Sequence, residues 1–156
     1  MGMKMTQQSF IQDELAPNLS NYGTNLDAAA KHIFSALKEY FNADPFAQAL
    51  GCIRQEEDKV IIDLYSLSTK LSILARTVID DQLFPYKLIS IQFKDGVDSS
   101  DLLLMKVSRY GKLTFSNDVL TFDENSNEFD YDDTYIPAQI ISRTLEILMK
   151  SKIISI

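Results

Sequence analysis

The sequence predicts a single α+β domain: an antiparallel sheet of four to six strands with amphipathic helices packed on one face. Two patterns point there. Three neighbouring segments alternate with period two: Ile89, Ile91 and Phe93 against Ser90, Gln92 and Lys94; Leu103, Met105 and Val107 against Lys106 and Ser108; Leu113 and Phe115 against Lys112, Thr114 and Ser116. Two other segments, 25–41 and 136–151, repeat apolar residues at helical spacing. The joints Tyr110–Gly111 and Asn117–Asp118 are turn-forming, so the alternating segments pair as antiparallel neighbours with one covered and one open face.

Residues 1–23 read as an N-terminal arm ahead of a single domain over 24–156. The apolar set Phe10, Ile11 and Leu15 stops at Pro17, and "NLSNYG" is rich in turn formers. Such an arm docks on its own domain or on a second copy, so a homodimer is among the expected assemblies. The first helix is expected to start near Thr24, which with Asp27 has capping-box spacing. Its stripe runs through Ala29, Ala30, Ile33, Leu37, Tyr40 and Phe41. Asp44 is placed to cap a short second helix, with Pro45 at its first position and Gly51 beyond its end.

"CIRQEEDKVIIDLY" reads as a hairpin turning at Glu56–Glu57–Asp58, with Val60, Ile62 and Leu64 alternating. Leu71, Leu74, Ala75, Val78 and Ile79 predict a helix over about 69–82, capped by Ser68. Asp80 and Asp81 would end it in solvent, with Arg76 one turn back to pair with Asp80. After the three strands, "VLTF" extends the ladder. The last helix, about 136–151, has Pro137 in its first turn and an apolar face of Ile140, Ile141, Leu145, Leu148 and Met149.

Composition narrows the function classes. At 46% apolar and 24% charged residues the chain is globular rather than disordered. Cys52 is the only cysteine, which excludes a disulfide framework and a cysteine-based zinc site and fits a cytoplasmic setting. No apolar run reaches the roughly 18–20 residues of a membrane span. The net charge is −7, and six carboxylates between Asp123 and Asp133 contribute −6 of it. Acidity is therefore local. A duplex nucleic acid is not an expected partner, because phosphate affinity is built from Lys and Arg.

That acidic stretch, "TFDENSNEFDYDDTY", is the candidate site. Asp132 and Asp133 suit the positive N-terminal end of the last helix. Asp123, Glu124, Glu128 and Asp130 are left over, interleaved with Phe129, Tyr131 and Tyr135. Carboxylates among aromatic rings offer both charge complementarity and buried area, the combination of an interface anchor for a basic protein. A calcium loop is the competing reading. Asp123, Asn125 and Asn127 occupy its positions 1, 3 and 5, but Glu128 stands where Gly is needed and Thr134 where a bidentate Glu is needed. A third reading is a solvated loop.

Other chemistry has thin support. His32 and Cys52 are the only residues of their types, and neither a phosphate-binding glycine loop nor a nucleophile elbow is present. Neither a cofactor nor a metal is expected. The polar strand face, with Lys94, Lys106 and Lys112, lacks the central aromatics of RNA-binding sheets. The balance favours a non-enzymatic interaction protein of the bacterial immunity or antitoxin sort, an inhibitor that binds a basic partner. At the level of fold class alone, such a small acidic α+β chain is similar to many immunity proteins and to secretion chaperones, though it displays no motif of either. The alternatives are a secretion-chaperone-like binder and a small metal-assisted enzyme or accessory domain.

Overall fold

The computed structural model describes residues 2–57 and 59–154. Three helices, α1 (Gly2–Ala43), α2 (Pro45–Leu50) and α3 (Ile136–Lys150), accompany seven strands. The strands are β1 (Cys52–Glu56), β2 (Lys59–Leu64), β3 (Thr69–Ile79), β4 (Pro85–Asp95), β5 (Asp98–Val107), β6 (Lys112–Phe115) and β7 (Phe129–Asp130). They form one antiparallel meander in which each strand pairs with the next in sequence.

One face of the sheet makes the core. Ile62, Leu64, Leu71, Ile73, Ile89, Ile91, Leu103, Met105, Val107, Leu113 and Phe115 are buried there with the α1 stripe (Leu26, Ala29, Ala30, Ile33, Leu37, Phe41) and α3's Ile136, Ile140, Ile141 and Leu148. The alternation in β4, β5 and β6 chose this face, since a one-residue slip would invert it. The register shifts between Ile91 and Gln92, which pair with Leu103 and Asp101, so Leu102 is the extra residue of a bulge and is buried as Leu103 is.

The second helix follows its signals. Asp44 accepts a hydrogen bond from the Ala47 amide at 3.0 Å, and Pro45 occupies the first turn. Gly51 is required by proximity: a Cβ there would lie 2.0 Å from the carbonyl oxygen of Asp63. The β1–β2 hairpin turns where expected, at Glu57 (φ 55°), while Asp58 lies outside the described residues.

Four expectations are corrected. First, the helix expected from Thr24 begins at Gly2, so residues 2–23 continue straight into the domain's first helix, with Pro17 inside it. The Phe10 side chain lies outside the described residues. Second, residues 69–79 form strand β3, not a helix. Leu71, Leu74, Ala75 and Val78 fit a helical period only because apolar residues stand on both faces of this strand. Leu71 and Ile73 are buried, whereas Leu74 is 43% exposed on the outer side. β-Branched Ile73, Thr77, Val78 and Ile79 favour the extended chain. Ser68, with φ 53°, ends a short 3₁₀ turn over Tyr65–Leu67 instead of capping a helix. Asp80 closes the β3–β4 turn by accepting the amides of Gln82 and Phe84, both at 2.9 Å.

Third, "VLTF" forms no strand. Asn117 curls this segment by accepting the amides of Val119 and Thr121, each at 3.0 Å, and Phe129–Asp130 supplies the seventh strand in its place. With β3 and β7 added, the sheet exceeds the expected four to six strands. Fourth, the outer sheet face is mixed, not polar. Ser90 and Leu88 are buried on it, and the Ser116 hydroxyl accepts the Leu104 amide at 3.0 Å.

Candidate partner-binding site

The acidic segment leaves β6, loops through residues 117–128, pairs briefly as β7 and enters α3. Its backbone holds itself. Asn117 donates from Nδ2 to the Asp123 carboxylate at 3.1 Å, and the Ser126 amide reaches the Asp123 carbonyl at 3.2 Å. The Asp133 carboxylate accepts the Tyr135 amide at 3.1 Å and its carbonyl accepts the Ile136 amide, which leads the chain into α3. Asp133 thus holds the turn ahead of α3, whose N-cap residue, Tyr135, makes no side-chain cap hydrogen bond.

The three rings divide. Phe129 is half-buried against Phe115, with centroids 5.9 Å apart, and Tyr131 is half-buried edge-on to His32 at 5.5 Å. Tyr131 also lies against Gly111, which at φ 77° makes the β5–β6 turn. These two rings fasten the segment to the body. Tyr135 does not: it is 71% exposed.

The carboxylates divide as well. Asp130 pairs with Lys112, directly across the β6–β7 ladder. The Lys112 ammonium is held above its ordinary pKa by that hydrogen bond and charge, with smaller help from Glu128 and Asp132. Among the described residues, none of Asp123, Glu124, Glu128, Asp132 and Asp133 takes part in an ion pair. Asp123, Glu124 and Glu128 border a hollow of about 260 Å³ beside Lys106 and Lys112 on the outer sheet face.

Asp132 and Asp133 face the other way. They share a groove of about 440 Å³ between α1 and the start of α3 with Glu39, Ala36, Tyr40 and Pro137. Burial, and then the charge of Asp44, keeps the Tyr40 hydroxyl protonated above its usual range. Glu39 and Tyr40 carried no local signal of a site in the sequence; only the packing of α1 on α3 brings them to the acidic segment. The nine residues singled out from sequence therefore divide about β7: Asp123, Glu124 and Glu128 before it, Phe129 and Asp130 within it, and Tyr131, Asp132, Asp133 and Tyr135 after it. Chemically, the groove offers three carboxylates, a phenol and an apolar lining, which suits a lysine or arginine side chain.

Among the described residues no group of three or more His, Cys, Asp or Glu is arranged to hold a metal ion, and no helix is long and apolar enough to cross a membrane. No protein-family model, curated protein or solved structure matches the chain, so geometry alone carries the functional reading.

Proposed function

We propose that this protein is a non-enzymatic binding module that docks a basic protein partner through its acidic lip, in the manner of an immunity or antitoxin-type inhibitor. The observation that carries this reading is the groove between α1 and α3: among the described residues Glu39, Asp132 and Asp133 line it without an ion-pair partner, and Tyr135, next in sequence to the groove residue Thr134, is 71% exposed. The groove carboxylates Glu39, Asp132 and Asp133 repel one another, and an incoming Lys or Arg relieves that repulsion. The stem of that side chain packs on Ala36 and Pro137, and Tyr135, which follows the groove residue Thr134 and is 71% exposed, offers a second contact to the partner. A concentrated negative field also speeds encounter with a basic surface, an effect that fades with salt.

The test is a triple variant, Glu39→Gln with Asp132→Asn and Asp133→Asn. Capture of a basic partner from lysate should fall by about tenfold or more at low salt, roughly 1.4 kcal/mol, and lose most of its salt dependence. Thermal unfolding should stay close to wild type, because none of the three side chains is fully buried. Undiminished capture by the folded variant would remove the groove from the interface.

A further inference from the structure

A second surface lies at the opposite end of α1 from the acidic groove, and it borders the acidic segment only at Lys106, beside Asp123, Glu124 and Glu128. We propose that residues 11–19 of α1 form an exchange arm that packs on the outer sheet face of a second copy of this chain, each copy giving its arm to the other.

Length comes first. A helix of 42 residues is about 63 Å long, whereas the longest strands, of eleven residues, span about 36 Å. The helix therefore overhangs its own sheet. Among the described residues, its last anchors toward the N-terminus are Tyr22, edge-on to Phe84 at 6.0 Å, and Asn18, whose Nδ2 donates to the Leu83 carbonyl at 2.7 Å. Ile11, Leu15 and Leu19 continue the spacing of Tyr22 and Leu26, yet Ile11 is 47% and Leu19 40% exposed. A helical overhang interrupted by Pro17 is marginal in water unless its apolar side is covered.

The matching surface is the sheet face that α1 and α3 leave open. Leu74, 43% exposed, and the half-buried Leu104 point to it from β3 and β5, while Ser90, in register between them, and its neighbour Leu88 are already buried. Arg76 and Lys106 flank Leu88 in register, one on each side. Ile11 and Leu19 lie about 12 Å apart along a helix axis, close to the roughly 10 Å between the first and third of three adjacent strands.

Charge selects the occupant. Asp13 and Glu14 are the only charged residues of the segment 11–19, so two arms laid side by side would oppose −2 with −2. Neither Arg76 nor Lys106 takes part in an ion pair among the described residues, although the Lys106 ammonium lies 4.5 Å from the Tyr86 ring centroid. The Asp123, Glu124 and Glu128 carboxylates stand beside Lys106 but not beside Arg76, so an acidic apolar helix fits the Arg76 side of this face better than it fits itself. Position agrees. The arm departs beside the Asp80–Phe84 turn, and Arg76, Val78, Tyr86 and Leu88 are the outer-face residues nearest that turn. A twofold axis beside the turn brings both arms onto both faces at once, the self-complementary arrangement of an isologous dimer.

Sedimentation equilibrium of the full chain tests this. Wild type should approach twice its 17.7 kDa mass. Arg76→Glu with Lys106→Glu, and separately Asp13→Arg with Glu14→Arg, should each raise the dimer Kd by about thirtyfold or more, and combining all four should recover most of the loss. Leu15→Asp with Leu19→Asp should abolish the dimer, with circular dichroism reporting that the sheet domain remains folded. A wild-type monomer at every accessible concentration overturns the proposal. So does a dimer indifferent to Arg76→Glu with Lys106→Glu, which would seat the arm elsewhere. The acidic-groove variant should dimerise normally, so failure here and failure of the partner-binding reading are separable.

Discussion

Leu26, Ile33 and Leu37, in the C-terminal half of α1, are at most 2% exposed, whereas Ile11 and Leu19, on the same helical stripe in the N-terminal half, are 47% and 40% exposed. The periodicity is continuous across Pro17; the cover is not. An apolar stripe specifies that a segment will be helical and which side needs shelter. How much is sheltered within one chain depends on the length of the sheet opposite, which is set by residues far away. The largest expected effect tests that contrast directly. Leu37→Ala should cost about 2–5 kcal/mol in urea unfolding, the usual range for emptying a leucine site in a packed core. Leu19→Ala, measured at a dilution where the chain is monomeric, should stay within about 0.5 kcal/mol of wild type. Equal losses would mean that the overhang already belongs to the folding unit.

The seam between the halves is a polar device. Lys87 sits at an inward position of β4, its side chain only 7% exposed, and its ammonium reaches the Asp27 carboxylate at 2.6 Å and the Thr77 hydroxyl at 2.9 Å. Asp27 is 64% exposed, so solvent screens its side of the bond. Asp27→Ala should still cost about 1–3 kcal/mol, because it leaves a buried cation with one neutral acceptor. Lys87→Met keeps the stem, removes the charge and should cost less. If the two variants were equally mild, the anchored half of α1 would owe its register to packing alone.

Arg109 marks where anchoring ends. Its guanidinium lies 3.5 Å from the Phe84 ring centroid and 5.9 Å from that of Tyr22. Arg109→Ala should loosen the Tyr22–Phe84 contact of α1 with the body by about 1 kcal/mol or less, read as faster amide exchange near Tyr22 with little change near Leu37. The loss is kept small because the buried Nε of Arg109 has no hydrogen-bond partner, and truncation removes that cost too.

These elements also show what a sequence exposes and what it conceals. The α+β class, the antiparallel order of β4, β5 and β6, the capped α2 and the bounds of α3 were legible because each rests on short-range chemistry: alternation, caps and turn residues. Strand β3 was not legible. Leu74 and Val78 on its outer side completed a helical period, so the feature that disguised the strand is the apolar surface left on the open face. The start of α1 was obscured by Pro17 and "NLSNYG", local breakers that a long amphipathic seam overrode. The acidic segment was plain as composition, but its split about β7 was not, since Lys112, Glu39 and Tyr40 enter only through tertiary packing.

The smallest effect expected belongs to alkaline pH, and it bears on the anchored half of α1 through Tyr40. Burial and Asp44 raise the Tyr40 pKa, and Asp130 raises that of Lys112. Each group therefore holds its proton more tightly when the chain is folded. Below the unfolded-state values, near pH 10, both states are protonated and the full stability is present. As pH climbs through the folded-state values, the unfolded chain has already released its protons, so stability declines. The urea midpoint should accordingly drop as the pH rises past about 10, and Tyr40→Phe should flatten that drop in part, because Lys112 still contributes. A drop of unchanged slope in Tyr40→Phe would take the alkaline sensitivity away from the groove and assign it to the β6–β7 ladder.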